Sequence, residues 1–242
     1  MAMRDYRKYD IASKLVDARI PQLDVMVVGA TGAGKSSTLN AILDRYTASV
    51  GTGVDPETMD VRQYRVHEKL VLWDTPGLGD SPEKDRQHIE KIKQLLKKFY
   101  RKSDGVVKYQ FIDMVLVIVD GSSRDLGTTY HLLEKVILPN IQSSRIIVGI
   151  NQADVAMSGR HWDASVQQPD TVLEQFLQEK ALSVKNRVFE SVGFNIQRPI
   201  CYSAKYGYHL DKVMDSLIDH MPESAYQISQ HYVNRREYDY DE

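Results

Sequence analysis

Residues 29–36 read Gly29-Ala30-Thr31-Gly32-Ala33-Gly34-Lys35-Ser36, a G-x-x-x-x-G-K-[ST] phosphate loop with no position missing. The glycines let the backbone curl so that successive N–H groups turn inward on phosphate oxygens. An apolar run, Val25-Met26-Val27-Val28, precedes the loop, and a helix-forming stretch from Ser37 to Leu43 follows it. A strand before and a helix after are the context this motif requires. The helix adds its positive dipole end to the same spot. In that geometry Lys35 would neutralise the β- and γ-phosphates, the Ser36 hydroxyl would ligate Mg²⁺, and the run 29–36 with Ser37 would line the phosphate site. The loop implies a nucleoside triphosphate without saying which base, since kinases, ATPases and GTPases share it.

Three further segments address that question. Leu70-Val71-Leu72-Trp73-Asp74-Thr75-Pro76-Gly77 is an apolar run ending in Asp-Thr-Pro-Gly. An aspartate at the carboxyl end of a buried strand beside a phosphate loop can hold Mg²⁺. Gly77, without a Cβ, can swing its N–H to and from a γ-phosphate. Arg145-Ile146-Ile147-Val148-Gly149-Ile150 leads into Asn151-Gln152-Ala153-Asp154. Asn-x-x-Asp can present a carboxylate to the N1–H and exocyclic amine of guanine. Adenine has no such donor pair, and an unpaired carboxylate in a closed pocket is costly. Finally, Cys201-Tyr202-Ser203-Ala204-Lys205 follows a short strand, and a backbone amide there could meet the guanine carbonyl oxygen. Ser-Ala-Lys is a weak triplet alone and gains meaning from its place after Asn-x-x-Asp.

In this order the motifs resemble those of the translation-factor-related GTPases, and within them the Era-like branch of the 50S-ribosome-binding type. The resemblance spans roughly residues 22–222 of 242. It implies a three-layer α/β P-loop GTPase domain with a mostly parallel six-stranded sheet and one antiparallel edge strand. It also implies Mg²⁺-dependent binding of GTP/GDP, hydrolysis of GTP, and switch loops that change with the nucleotide. Carried over position by position, residues 29–36 match the phosphate loop, 74–77 the start of switch II, 151–154 the guanine motif and 203–205 the Ser-Ala-Lys loop. Thr47, Thr52 and Thr58 all lie in the interval for the switch I threonine. Thr58 is preferred because Thr58-Met59-Asp60-Val61 leads straight into an alternating strand, with Thr52 second. The residues implied in catalysis are then Lys35, Thr58 and Gly77. Those implied on the metal are Ser36, Thr58 and Asp74. Those implied on the nucleotide are Gly29 to Ser37, Asn151, Gln152, Asp154, Ser203, Ala204 and Lys205.

Two departures stand out. The family motif is usually Asn-Lys-x-Asp, whose lysine stem covers the base; here the position holds Gln152, shorter and uncharged, which points to weaker nucleotide affinity. Gly77 is followed by Leu78, where Ras-like enzymes carry a water-orienting glutamine. An aliphatic side chain cannot orient water, so slow intrinsic turnover is expected, with another group or a partner completing the site.

The rest of the chain must position these loops. Strand-like segments at 23–28, 61–66, 69–74, 112–119, 145–150 and 197–202 alternate with helix-like ones at 35–44, 84–102, 126–138, 169–192 and 207–221, the pattern of a doubly wound parallel sheet. All the motifs then fall at carboxyl ends of strands, where open α/β sheets bind ligands. Runs 61–66 and 69–74 read as a hairpin turned at His67-Glu68-Lys69. Residues 1–21 form an expected N-terminal helical extension, with Ile11, Leu15 and Val16 on one side of a helix over 3–19, packing on the domain or meeting a partner. The domain proper is 22–222. The tail 223–242, with tyrosines among charges, frays or docks as a short helix. His161-Trp162 belongs to a surface loop or shields the nucleotide.

Composition excludes more than it assigns. Lys+Arg 31 against Asp+Glu 33 gives a net charge of −2, so no global field favours nucleic acid. One cysteine, Cys201, allows no internal disulfide and suits a reducing cytoplasm. No apolar stretch approaches the ~20 residues of a spanning helix. Lys91, Lys93, Lys97, Lys98, Arg101, Lys102 and Lys108 follow switch II. On a basic helix they would face solvent or contact ribosomal RNA or an acidic protein. The function readings are a GTP-controlled switch acting on an effector protein, or an assembly GTPase, septin-like or immunity-associated-like, that forms a nucleotide-dependent homodimer.

Overall fold

The structure, a computed structural model, describes residues 6–46, 52–54, 61–101, 108–123 and 126–227. Its frame is a sheet of seven strands. These are β1 Leu23–Gly29, β2 Thr52–Val54, β3 Arg62–His67, β4 Leu70–Asp74, β7 Met114–Asp120, β8 Ile146–Asn151 and β11 Ile200–Cys201, ordered β11-β8-β7-β1-β4-β3-β2, with two short pairs outside the sheet, β5 Phe99–Arg101 with β6 Lys108–Gln110 and β9 Trp162–Asp163 with β10 Gln168–Pro169. Strands β11, β8, β7, β1 and β4 are parallel, and β3 runs antiparallel to both its neighbours. The expected mostly parallel α/β sheet is thus present. The three-residue β2 adds a seventh strand, so the antiparallel strand sits one place in from the edge.

Every residue of β1 and β8 is buried, and β7 is buried up to Asp120. Parallel strands covered on both faces read as continuous apolar runs for this reason. Alternate side chains divide between two cores. Met26, Val28, Val115 and Val117 pack with helices α3 Pro82–Lys97, α4 Gly127–Leu132 and α5 Thr171–Val192. Val25, Val27 and Leu116 pack with α1 Lys8–Ala18, α2 Lys35–Tyr46 and α6 Leu210–Asp219. Helix starts follow local chemistry: Ser81 accepts from the Lys84 amide ahead of Pro82, and Asp170 accepts from Val172 and Leu173.

Four expectations need correction. The helix read over 84–102 ends at Lys97, and Phe99–Arg101 (β5) pairs antiparallel with Lys108–Gln110 (β6). Alternation explains the switch, because Tyr100 stacks on Tyr109 at 5.5 Å on one face while Phe99 is exposed. The basic residues therefore divide between a helix and a hairpin, with Lys102 outside the described residues. The N-terminal helix does pack on the domain through Ile11, Leu15 and Ala18, but Val16 is 69% exposed. The start of the tail docks in extended form rather than as a helix. There the Ala225 amide donates to the Ala18 carbonyl, the Gln110 amide donates to the Tyr226 carbonyl, and Gln227 bridges to Tyr109. Strand 197–202 contracts to Ile200–Cys201. Among the described residues no helix is long and apolar enough to cross a membrane.

Candidate nucleotide-binding site

The segments singled out in the sequence meet at the carboxyl ends of β1, β4, β8 and β11. The phosphate loop joins β1 to α2 and needs its glycines. Gly34 has a left-handed φ of 87°, and a Cβ there would come within 2.1 Å of Asn151 Nδ2. Lys35 Nζ donates to the carbonyl oxygens of Gly29 and Ala30, 3.1 Å each, spanning the loop from inside. Burial lowers the lysine's pKa, and the charges of Asp74 and Asp80 oppose that shift. Asp74, at the end of β4, has its pKa raised by burial, opposed by Lys35 and Arg62. Its Oδ1 is enclosed and has no hydrogen-bonding partner among the described residues. Thr31, Ser36, Ser37, Arg62, Gly77 and Asp80 complete the lining of a cleft of about 630 Å³ between loop and strand.

The backbone after Asp74 is pressed against the loop. Thr75 donates to the Val27 carbonyl through both its amide and its hydroxyl, at 3.3 and 2.8 Å. The Leu78 amide reaches the Gly29 carbonyl at 3.4 Å, and the Thr31 amide reaches the Leu78 carbonyl at 2.7 Å. A Cβ on Gly77 would lie 2.6 Å from Thr31 Oγ1 and 2.9 Å from Lys35 Nζ, so only glycine fits. Two residues of α3 hold this segment from the other side. His88 Nδ1 lies 2.9 Å from the Gly77 carbonyl oxygen, and Asp85 accepts from the Gly79 amide at 2.8 Å. Leu78 is 2% exposed and packs in the core, so its side chain takes no part in orienting water.

The Asn151–Asp154 turn is bonded directly to the phosphate loop, and the Ser203–Lys205 loop to that turn. Asn151 donates to the Ala33 carbonyl at 3.2 Å and accepts from the Ala204 amide at 3.0 Å. Ser203 donates to Asp154 at 2.6 Å, leaving the carboxylate's second oxygen for a ligand. Gln152, at φ 66°, donates to the Gly32 carbonyl at 3.1 Å, so it reaches the loop despite its short stem. Lys205 is exposed, with its ammonium 4.9 Å from the Tyr206 ring centroid. Trp162 packs against Tyr206 and Tyr208 on the flank of this loop, while His161 pairs with Asp170.

The structure thus brings together every site residue expected from the sequence except Thr58. Thr58 and Thr47 lie outside the described residues, and Thr52 begins β2. Sequence reading missed Arg62, Asp80, Asp85 and His88. The register of the β3–β4 hairpin pairs Arg62 with Asp74, but an irregularity between Arg65 and His67 shifts the pairing by one residue, so counting back from the turn would have given Gln63 instead of the arginine. Among the described residues no group of three or more His, Cys, Asp or Glu could hold a metal. The Ser36 hydroxyl and the Asp74 carboxylate in the cleft are oxygen donors of the kind Mg²⁺ takes, one or two from protein with its other positions left to phosphate and water. The enclosed, unpartnered Asp74 Oδ1 fits such an ion.

A family model described as 50S ribosome-binding GTPase matches residues 24–152. Translocase of chloroplast 108 from Physcomitrium patens is 39% identical over 108 residues, which is 43% of this chain and 10% of that protein. Interferon-gamma-inducible GTPase 10 from Mus musculus is 33% identical over 121 residues, 48% of this chain and 25% of that one. The crystal structure of Toc33 from Arabidopsis thaliana in complex with Mg²⁺ and GMPPNP covers 90% of this chain and 92% of its own, with a TM-score of 0.56 at 13% identity, a likeness of fold. The chain spans between a tenth and a quarter of the length of these two sequence relatives.

Proposed function

The chain belongs to the 50S ribosome-binding GTPase family, and from that premise we propose that it binds GTP between the phosphate loop and the Asn151–Asp154 turn and hydrolyses it to GDP. The observation that carries this reading is the bonding of Asn151 to Ala33 on one side and Ala204 on the other, which makes one continuous cradle for phosphates and base. Amides of the loop and the start of α2 meet the phosphates. Lys35, already inside the loop, turns its charge on the β- and γ-phosphoryl oxygens. Asp154 accepts from the guanine N1–H and amine, and the Ala204–Lys205 backbone meets the base carbonyl.

Ser36 and Asp74 would hold Mg²⁺, with Thr58 as the switch I candidate. Mg²⁺ held there would supply positive charge against that developing on the transferred phosphoryl group. Water is the nucleophile, and the oxygen bridging the β- and γ-phosphates leaves with GDP. With Leu78 buried, the residue after Gly77 does not orient that water, so turnover is slow until a further group arrives. Gly77 and the 77–79 segment, tied to α3 by His88 and Asp85, carry the nucleotide state to the surface of α3. Lys91, Lys93 and Lys97 on that helix give the effector surface a basic character.

Calorimetric titration of GTP into Lys35→Ala tests the reading. Loss of at least tenfold in affinity is expected, and retention of the unaltered affinity would refute the phosphate-loop assignment.

A further inference from the structure

Tyr202 lies just before the Ser203-Ala204-Lys205 loop, and its ring is entirely buried. The phenol oxygen is 2.7 Å from Thr38 Oγ1, on the first turns of α2. Thr38 Oγ1 has one proton and donates it to the Gly34 carbonyl at 2.8 Å, within the phosphate loop. The tyrosine is therefore the donor of the pair. Burial pushes its pKa up, so the phenol keeps its proton.

The backbone of the same residue closes the guanine turn. The Tyr202 amide donates to the Ile150 carbonyl at 2.9 Å, and the Ala153 amide donates to the Tyr202 carbonyl at 3.0 Å. Asn151 and Gln152 lie between those two bonds. The ring needs space, and Gly149 supplies it: a Cβ there would sit 2.9 Å from Tyr202 Cε1. This accounts for a glycine within an otherwise apolar strand.

We propose that Tyr202 is a positioning residue that sets the distance between the base-recognising loops and the phosphate loop, through the chain Tyr202–Thr38–Gly34 on one side and Ile150–Tyr202–Ala153 on the other. The proposal rests on the guanine-nucleotide reading above. It adds a tie between the two halves of the site that is independent of the Asn151–Ala33 and Gln152–Gly32 bonds. Two half-sites held at the right separation bind a joined ligand more tightly than their separate affinities supply. That gain is lost when the spacing loosens, although each half still binds its own fragment.

The test measures affinities for GDP, for guanosine alone and for inorganic triphosphate alone, with thermal melting of each nucleotide-free variant alongside. Tyr202→Phe keeps the ring and removes the bond to Thr38. It is expected to weaken GDP binding about fivefold, the scale of one net hydrogen bond, while guanosine and triphosphate binding stay within about twofold of the unaltered protein. In a Thr38→Val background the same change is expected to cost nothing further. Thr38→Ser, which keeps the hydroxyl, should retain GDP affinity within about twofold. Gly149→Ala, pressing on the ring from β8, should weaken GDP in the same direction as Tyr202→Phe.

Unchanged GDP affinity in Tyr202→Phe overturns the proposal. So does an equal loss for GDP and both fragments, which would make the tyrosine a structural support only. If the unaltered protein fails to bind GDP, the proposed function falls and this tie falls with it. GDP binding in the unaltered protein with no effect of Tyr202→Phe refutes the tie alone.

Discussion

Replacing Asn151 by alanine removes its bond to Ala33 of the phosphate loop and its bond to Ala204 in the base half of the site. Asn151 is 3% exposed, and its amide spans the Ala33 carbonyl and the Ala204 amide at 3.2 and 3.0 Å. Each such bond contributes roughly 1 kcal/mol net, and a buried N–H left without a partner adds a penalty of roughly 1–3 kcal/mol. In the free protein, water can enter the space vacated by the side chain and satisfy the Ala204 amide. A nucleotide covering the loop shuts that water out, so most of the penalty falls on the bound state. The two bonds are lost from the free and the bound protein alike, so the expected cost to binding is that penalty, about 2 kcal/mol, a weakening of GDP affinity by about 30-fold. The free protein should lose several degrees in Tm, the roughly 2 kcal/mol of the two missing bonds. Preference for guanine over adenine should persist, since the Ser203–Asp154 pair is untouched. Fluorescence titration of a labelled GDP, with calorimetric melting of the free protein, reads both quantities. A change in Kd below about fivefold, or a collapse in Tm with Kd preserved, would refute the claim that Asn151 links the two halves.

The remaining predictions concern charge. Gln152→Lys restores a long cationic stem at the position bonded to Gly32 and should tighten GDP several-fold; weaker binding would show that the glutamine bond matters more than base coverage. Asp74→Asn removes a carboxylate with an enclosed, unpartnered oxygen. The nucleotide-free protein should melt higher, because burial holds the native carboxylate's pKa above its usual range, while Mg²⁺-dependent hydrolysis falls by about 100-fold or more. A lower Tm or unchanged turnover contradicts the assignment. Asp113, 2% exposed, has its pKa pushed up to about 8 by burial, against the opposing hydrogen bond from the Asp24 amide. A raised folded pKa means the native state holds a proton that the unfolded chain has released. The associated stability is complete below about pH 4 and is lost as pH rises to about 8. Asp113→Asn, which can still accept from the Asp24 amide, should therefore raise Tm more at pH 8.5 than at pH 5.5. An equal shift at both pH values would refute the titration.

Most of the site was legible because its chemistry is local in sequence. A phosphate loop, an Asp-x-x-Gly turn and an Asn-x-x-Asp turn each work through neighbouring residues, and the apolar strands before them signal their own burial. What the sequence hid depends on pairing between distant segments. Arg62 enters the cleft only through its register with Asp74, and His88 reaches Gly77 only because α3 folds back along the sheet. Tyr202 reads as an ordinary strand residue until α2 brings Thr38 to its hydroxyl. The helix expected over 84–102 failed for a related reason. Lysine-rich sequence favours helix locally, but the pairing of Tyr100 with Tyr109 across the hairpin overrode that preference. Apolar character alone puts Val16 on the packed face of α1, whereas Ala18 lies there instead.

Guanine recognition is tested most directly by titrating the unaltered protein, in Mg²⁺, with GDP and separately with ADP. With Asp154 presenting its free oxygen to a base that has two donors, GDP should bind at least about 100-fold more tightly than ADP. Comparable affinities for the two, or no binding of either, would contradict the account.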